Sequence, residues 1–175
     1  MLRNEVVLVD IFDNEIGVET KENAHKKPML HRAFSIFIYN DNYDVLIQKR
    51  AAHKYHSPLL WANTCCSHSR KGENIKESAI ERLKDEVGID ADIEELYSFI
   101  YISKYREGLY EYELDHVFIG KYNGDFTLNE EEACEAKWIS LEDLSNDLVN
   151  NPSSYATWFI NCAPKVIEFL KNKRG

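Results

Sequence analysis

Cysteine is scarce in this chain, and its placement is poor for disulfide bonds. Of the four cysteines, Cys65 and Cys66 are adjacent, and neighbouring residues rarely pair with each other. Cys134 and Cys162 lie in patterns typical of a strand or a helix. These features predict reduced thiols, and they argue against the class of small secreted domains that disulfides hold together.

Long apolar runs and clustered basic residues are also missing. No segment approaches the apolar length that a membrane span needs, and the N-terminal stretch has no small-residue cleavage site. We therefore expect a cytoplasmic protein without a membrane partner. The formal net charge is −9 and the longest basic run is the tail at 171–174, which argues against a nucleic-acid partner. A small anionic ligand stays open, because local positive charge or a bound cation would attract it.

The composition that is present fits one globular domain at 1–175, with 44% hydrophobic and 29% charged residues. We expect an α/β (α+β) fold in which helices flank a mixed β-sheet. Pro164 is expected to kink or break the last helix. Strands are predicted, from β-branched and aromatic content, at 5–12, 31–39, 43–49, 61–65, 96–105, 110–121 and 133–139. Helices are predicted, from apolar spacing, at 75–87, 141–149 and 155–172.

The helix at 75–87 carries signals at both of its ends. Asn74 and Glu77 form a start that resembles a capping box, and Gly88 is placed to end the helix. One apolar face is formed by Ile75, Ala79, Leu83 and Val87. The pattern therefore predicts an amphipathic helix with defined ends.

Two glutamates alternate along the strand at 110–121. Because side chains in a strand point to opposite faces in turn, Glu111 and Glu113 share one face, while His116 points to the other. Two buried like charges repel unless a proton or a metal neutralises them. The pair therefore indicates either a shared cation or an ordinary solvated strand face, and the second reading is favoured for an isolated Glu-x-Glu.

Histidines shift that balance toward a metal site. His25 and His31 flank the start of a strand, and His68 follows the thiol of Cys66 by two residues. With the two glutamates they form a set of three imidazoles and two carboxylates, which suits zinc, manganese or iron. Each histidine alone is more often a surface or hydrogen-bonded residue. We expect that ordinary role for His53, His56 and His116.

Three sequence blocks resemble type I isopentenyl diphosphate isomerase, a member of the Nudix fold superfamily. They are LHRAFS at 30–35, WANTCCSH at 61–68 and EYE at 111–113, in the family's order and spacing. The likeness extends from about residue 21 to residue 158. It implies an enzyme of isoprenoid biosynthesis that interconverts isopentenyl and dimethylallyl diphosphate by protonation and deprotonation through a carbocation.

The resemblance also implies a role for each matching residue. Cys66 and Glu113 would act as acid and base on opposite faces of the double bond, and Tyr101 would pass or orient a proton. Trp158 would stabilise the cation with its aromatic face. A cation beside Cys66 is expected to give its thiol thiolate character. Contacts to the substrate diphosphate would come from Lys21, Arg50, Lys54, Ser67 and Arg82.

Two divalent ions follow from the same resemblance. One, manganese or zinc, would be held by His25, His31, His68, Glu111 and Glu113. The other, Mg²⁺, would lie between Glu86, the main chain of Cys66 and the diphosphate. The native metal and the oligomeric state are left open by the sequence.

The Nudix box, G-x5-E-x7-R-E-U-x-E-E-x-G-U, is matched only in part when it is anchored on Gly88. Ser67 replaces its first glycine, Glu81-Arg82 reverses its Arg-Glu pair, and Asp85 replaces one glutamate. A Nudix hydrolase, the alternative function, needs that carboxylate cluster to activate water. Isomerase is therefore preferred to hydrolase and to a catalytically silent metal-binding domain. Ser69 also stands where the family often has proline, which puts the loop entering the helix in doubt.

Overall fold

A computed structural model describes residues 4–175, which form nine strands and four helices. The strands are β1 (Glu5–Val9), β2 (Glu15–Thr20), β3 (His31–Tyr39), β4 (Val45–Arg50), β5 (Trp61–Ala62), β6 (Cys65–Ser67), β7 (Ile93–Arg106), β8 (Leu109–Lys121) and β9 (Ala133–Ile139). The helices are α1 (Lys21–Lys26), α2 (Ile75–Val87), α3 (Leu141–Asn150) and α4 (Thr157–Arg174), with a 3₁₀ turn at Pro152–Ser154. No helix among these residues is long and apolar enough to cross a membrane.

The strands form one mixed sheet with β3 at its centre. β3 pairs in parallel with β8 and antiparallel with β1, β4 and β6. β2 extends the sheet beyond β1, and β7 extends it beyond β8. β4 also pairs with β5 and β9. The predicted mixed sheet is confirmed.

Both faces of β3 are buried, which explains its nearly continuous apolar sequence. Phe37 and Tyr39 pack into a core with α3 and α4, whereas Phe34, Ile36 and Ile38 pack into a second core with α2. Helices therefore cover both faces of the sheet, as predicted. The bounds predicted for β3, β9 and α2 are those observed.

The N-terminal hairpin and α1 were not predicted. The side chain of Asp10 accepts hydrogen bonds from the backbone N–H groups of Phe12 (2.8 Å) and Asn14 (3.0 Å), so the chain turns and β1 ends at Val9 rather than at residue 12. β2 follows, and the Thr20 side chain then accepts a hydrogen bond from Asn23 N–H (3.2 Å) to start α1. Hydrogen bonds between side chains and nearby backbone groups thus shape this region, and no long periodic pattern of apolar residues is needed.

The single strand predicted at 61–65 is wrong, because β5 and β6 pair with different strands. Two buried side chains between them take over hydrogen bonds that a continuous ladder would make. Asn63 Nδ2 donates to the Ile36 carbonyl (3.2 Å), and Thr64 Oγ1 accepts from Ile38 N–H (2.9 Å). The chain therefore crosses from β4 to β3 within a few residues.

The last helix begins at Thr157 instead of residue 155 and is continuous across Pro164, so the predicted break is absent. Residues before it are extended, and Ala156 N–H donates to the Trp61 carbonyl (2.9 Å). Trp158 and Cys162 face the sheet from this helix and are buried. All four cysteines are free, as predicted.

Candidate active site

A cavity of about 410 Å³ opens at the ends of β3, β6 and β8. Every residue predicted for the site lines it except His25 and His31, which lie buried beside Glu111. The predicted residues on its wall are Lys21, Arg50, Lys54, Cys66, Ser67, His68, Arg82, Glu86, Tyr101, Glu111, Glu113 and Trp158. Residues from distant parts of the chain therefore converge on one cavity.

β8 presents the two glutamates to the cavity. Glu111 and Glu113 share one face and are buried, as strand alternation predicts, so the solvated-face reading is wrong. His116 lies on the opposite face, where its ring nitrogens contact Glu95 (2.7 Å) and Asp13 (3.0 Å). The prediction that His116 faces away from the two glutamates is confirmed.

Three imidazoles surround these carboxylates. His25 on α1 places Nε2 3.1 Å from Glu111 Oε2, and His31 on β3 places Nε2 3.5 Å from Glu113 Oε1. His68, after β6, places Nε2 2.9 Å from the same Glu113 oxygen. One potential ligand atom from each of His25, His31, His68 and Glu111 falls within 4.8 Å of the others.

The hydrogen bonds around this cluster leave several buried polar atoms facing one another. His31 donates Nδ1–H to the Met29 carbonyl (2.9 Å), which turns its Nε2 toward the two glutamates. Within residues 4–175, His25 Nε2, His31 Nε2 and Glu111 Oε2 are buried without a hydrogen-bond partner. Unpaired buried polar atoms that face one another are costly. The donor set therefore fits a divalent cation with nitrogen and oxygen ligands.

Burial sets the protonation of the groups beside Glu113. It lowers the pKa of His68 to about 4, so this imidazole is neutral at pH 7. Burial also opposes ionisation of Glu113, but hydrogen bonds from His31 and His68 outweigh it and hold the pKa of Glu113 well below its usual value. The site thus combines an ionised carboxylate with a neutral histidine.

Cys66 and Glu113 approach the cavity from opposite sides of β3. In the strand register Cys66 on β6 is opposite Ser35, whereas Glu113 on β8 is opposite His31. Burial raises the pKa of Cys66 to about 12, against a smaller opposing effect of Arg50. The thiolate character expected of Cys66 beside a bound cation stays a prediction.

Tyr101 and Trp158 complete the inner wall. Tyr101 is the cross-strand partner of Glu113 and donates its hydroxyl proton to Glu113 Oε2. Burial raises its pKa well above the ordinary value. Trp158 Nε1 donates to Asn63 Oδ1 (3.1 Å), and the Arg50 guanidinium lies 5.1 Å from the centre of the Trp158 ring. Trp158 therefore belongs both to the core and to the cavity.

Lys54 and Arg82 lie on the α2 side of the cavity, whereas Lys21, at the start of α1, has its Nζ 5.6 Å from the centre of the Tyr55 ring. Lys54 pairs with Glu132 (2.5 Å), and Arg82 pairs with both Glu132 (3.3 Å) and Glu86. Glu86 is buried and also accepts from Gln48 Nε2 (3.3 Å). Burial raises the pKa of Glu86. In the structure Glu86 thus faces a guanidinium.

The sequence analysis gave His56 the ordinary role of a surface or hydrogen-bonded histidine and did not place it at the site. It is buried, and its Nε2 lies 2.9 Å from Glu111 Oε1. Tyr55 beside it bonds through its hydroxyl to His25 Nδ1. Both residues lie in the loop at 51–60, which has no periodic pattern, so only the closed fold reveals them. His53, in contrast, has an exposed ring 3.7 Å from Glu131.

Comparisons with known proteins agree with this geometry. The family described as the NUDIX domain matches residues 29–159. Two isopentenyl-diphosphate Delta-isomerases of Aromatoleum aromaticum are 45% and 42% identical, covering 99% and 95% of this chain and 98% and 88% of their own lengths. One from Photorhabdus laumondii is 46% identical over 88% of the chain and 87% of its own length.

Solved structures show the same fold at low identity. A crystal structure from Deinococcus radiodurans gives a TM-score of 0.72 at 15% identity, covering 96% of this chain and 98% of that chain. The MutT protein of Methanosarcina mazei gives 0.65 at 17% identity, covering 83% and 95%. At these identities the likeness concerns the fold alone.

Proposed function

The chain belongs to the NUDIX family and, within it, to the isopentenyl-diphosphate Delta-isomerases, and from this premise we propose how its cavity works. The enzyme interconverts isopentenyl and dimethylallyl diphosphate. A proton adds to the double bond, which gives a tertiary carbocation, and a proton then leaves a different carbon. We further propose that the chain is a single cytoplasmic domain, 1–175, whose partner is its small-molecule substrate.

One observation carries the assignment of roles: the thiol of Cys66 and the carboxylate of Glu113 reach one cavity from opposite sides of β3. Cys66 supplies or receives a proton on one face of the double bond, and Glu113 does so on the other. Tyr101 holds the second oxygen of Glu113 and orients its proton. Trp158 offers its aromatic face to the carbocation, which a quadrupole attracts without trapping it.

The cation sites follow from the donor sets. His25, His31, His68, Glu111 and Glu113 would hold a divalent ion, manganese or zinc, and Glu86 with the Cys66 main chain would hold Mg²⁺. When bound, the first ion would offset the charge of the paired carboxylates, and the second would offset that of the diphosphate. Buried polar atoms of His25, His31 and Glu111 that have no hydrogen-bond partner in the described part of the chain support the first site.

The substrate diphosphate needs local positive charge, because the chain carries a net charge of −9. Five predicted contacts supply donors around the cavity: Lys21, Arg50, Lys54, Ser67 and Arg82. Arg82 and Lys54 are ordered by Glu132 before any ligand binds. Their ordered positions reduce the entropy lost on binding.

Hydrolysis, the alternative reaction, is disfavoured by one contact on α2. Arg82 stands where the Nudix box has a carboxylate, and it pairs with Glu86 instead of adding to a cluster that would activate water. The isomerase assignment is therefore retained.

The test is an isomerisation assay in D₂O with magnesium. We expect the two five-carbon diphosphates to equilibrate and the product to carry deuterium, since protonation and deprotonation occur on different carbons. Cys66→Ala and Glu113→Gln should each lower turnover by about 10³-fold or more while the melting temperature stays near that of the parent.

Two residues of β9 provide matched controls. Cys134 and Glu135 are exposed and do not line the cavity, so Cys134→Ala and Glu135→Gln should retain full turnover. Full activity of Cys66→Ala or Glu113→Gln would defeat the role of that residue. Phosphate release from nucleoside diphosphate derivatives, without isomerisation, would support the hydrolase instead.

A further inference from the structure

The loop at 51–60, between β4 and β5, reaches across the cavity to the metal-ligand cluster. Its backbone is tied down at both ends, because Leu59 N–H donates to the Arg50 carbonyl (3.1 Å) and Ala51 N–H donates to the Glu132 carbonyl (3.1 Å). Ser57 and Leu59 adopt left-handed φ values of +49° and +59°, which non-glycine residues keep only where the surroundings impose them. The loop therefore holds Tyr55 and His56 in fixed places.

Tyr55 acts on His25. Its hydroxyl bonds to Nδ1 of His25, and the two rings stack with centres 5.8 Å apart at 24°. The His25 side chain is buried, and its Nε2 faces Glu111 Oε2 at 3.1 Å. If the Tyr55 oxygen accepts Nδ1–H, the lone pair of His25 is left on Nε2, toward the cluster.

His56 acts on Glu111 in the same way. Its Nε2 lies 2.9 Å from Glu111 Oε1, which occupies that oxygen with a hydrogen bond and leaves Oε2 free. Aromatic rings hold the imidazole on three sides: Tyr105 stacks at 5.0 Å, and Tyr55 and Trp158 meet it edge-on at 4.6 and 5.8 Å. The direction of its N–H bond is therefore fixed.

We propose that Tyr55 and His56 are positioning residues. They determine which atom of each of two metal ligands, His25 and Glu111, faces the ion. Each engages one of the two polar atoms of its ligand, so the other, His25 Nε2 or Glu111 Oε2, points at the ion. Those are two of the buried atoms that have no hydrogen-bond partner among the residues that the structure describes. This inference rests on the cation site proposed above, and it adds a shell of residues that the ligand set alone does not contain.

The test is calorimetric titration of the metal-free enzyme with Mn²⁺ and Zn²⁺. Tyr55→Phe removes one oxygen, and His56→Ala removes the imidazole, so each should weaken binding by about ten- to a hundredfold. His56→Gln keeps an N–H donor and should recover part of the loss. The visible spectrum of the Co²⁺-loaded protein should shift in Tyr55→Phe, whereas the melting temperature of its metal-free form should not.

Matched controls come from the same residue types. Tyr43→Phe loses a hydroxyl that bonds to the Lys173 carbonyl, and His53→Gln alters an exposed ring in the same loop. Both should bind the ions as the parent does. Parental affinity and an unchanged Co²⁺ spectrum in Tyr55→Phe and His56→Ala would overturn the proposal.

The isomerase assignment and the positioning role can be tested independently of each other. A parent protein that binds the ions, loses affinity in the two variants and isomerises nothing would keep the positioning role and remove the isomerase assignment. A parent that isomerises while the variants bind as it does would remove only the positioning role. A parent that isomerises but binds neither ion would overturn the positioning role as well.

Discussion

Glu113 shows how a single carboxylate is held ionised inside a protein. It receives a hydrogen bond from Tyr101 on β7 and another from His68 after β6, and His31 of β3 lies within 3.5 Å. Hydrogen bonds to the charged form offset the cost of burying it. Removing one hydrogen-bond donor should therefore affect proton transfer by Glu113 more than it affects the stability of the fold.

Tyr101→Phe tests that expectation. The variant deletes the hydroxyl that holds Glu113 Oε2, and we expect kcat to fall by about a hundredfold while KM changes little. Steady-state kinetics with isopentenyl diphosphate measures this. Tyr97→Phe on the same strand removes a hydroxyl that donates to the Cys162 carbonyl (2.9 Å), so it should lose stability but not kcat. Equal effects of both variants on kcat would contradict the role of Tyr101.

At the scale of the elements, the link between α3 and α4 depends on a partly buried carboxylate. Tyr155, just after the 3₁₀ turn, donates its hydroxyl to Asp147 of α3 (2.5 Å), and its ring stacks on Phe159 of α4. The hydrogen bonds from Tyr155 and Asn151 lower the pKa of Asp147 below its ordinary 3.8. The junction is therefore stabilised by the ionised form of Asp147.

This arrangement predicts a pH dependence of stability. A lowered folded-state pKa contributes stability above the unfolded value of 3.8, and that contribution is lost as the pH falls through the folded value. Tyr155→Phe should thus melt below the parent at pH 7, and the gap should narrow below about pH 4. Thermal melts from pH 7 to pH 3 measure it. Tyr122→Phe, whose hydroxyl donates to a backbone carbonyl, should show a gap independent of pH.

Elements with local signals could be predicted from the sequence, and others could not. α2 begins after Asn74 and ends before Gly88, because a side-chain cap and a left-handed glycine act within a few residues. The split between β5 and β6 depends on bonds from Asn63 to β3, a strand that lies about 27 residues earlier. No pattern within 61–65 contains that information.

The same distinction applies to the site. Strand alternation placed Glu111 and Glu113 on one face, and the sequence offered His25, His31 and His68 as further ligands, two of them within the blocks of the resemblance. The contacts of Tyr55 and His56 were not predicted, because a loop residue reaches its partner only when the whole chain has folded.

At the scale of the molecule, Gly120 marks the closest packing between the central strands and the α2 core. It pairs with Ile38 of β3 on one side and with Ile93 of β7 on the other. A Cβ atom at this position would lie 2.8 Å from the Asp92 carbonyl oxygen and 2.8 Å from Ile93 Cγ2. The backbone oxygen cannot move without disturbing the sheet.

Gly120→Ala should therefore destabilise the protein by about 1–3 kcal/mol, as overpacking of a core does. Urea unfolding measures the loss. Gly17→Ala in β2 serves as the control, because its new Cβ would make only an ordinary contact with Leu8 at 3.8 Å. A Gly120→Ala variant as stable as the parent would show that the sheet relaxes more than this packing allows.

The parallel pairing of β3 with β8 has a consequence for biosynthesis. Ser35 of β3 bonds to Asp115 of β8, a partner 80 residues later in the chain. At translation rates of about 5–20 residues per second, that interval takes about 4–16 s. A nascent chain thus exposes its first imidazoles well before the carboxylates that complete their site exist, and catalytic competence can arise only after most of the polypeptide has left the ribosome.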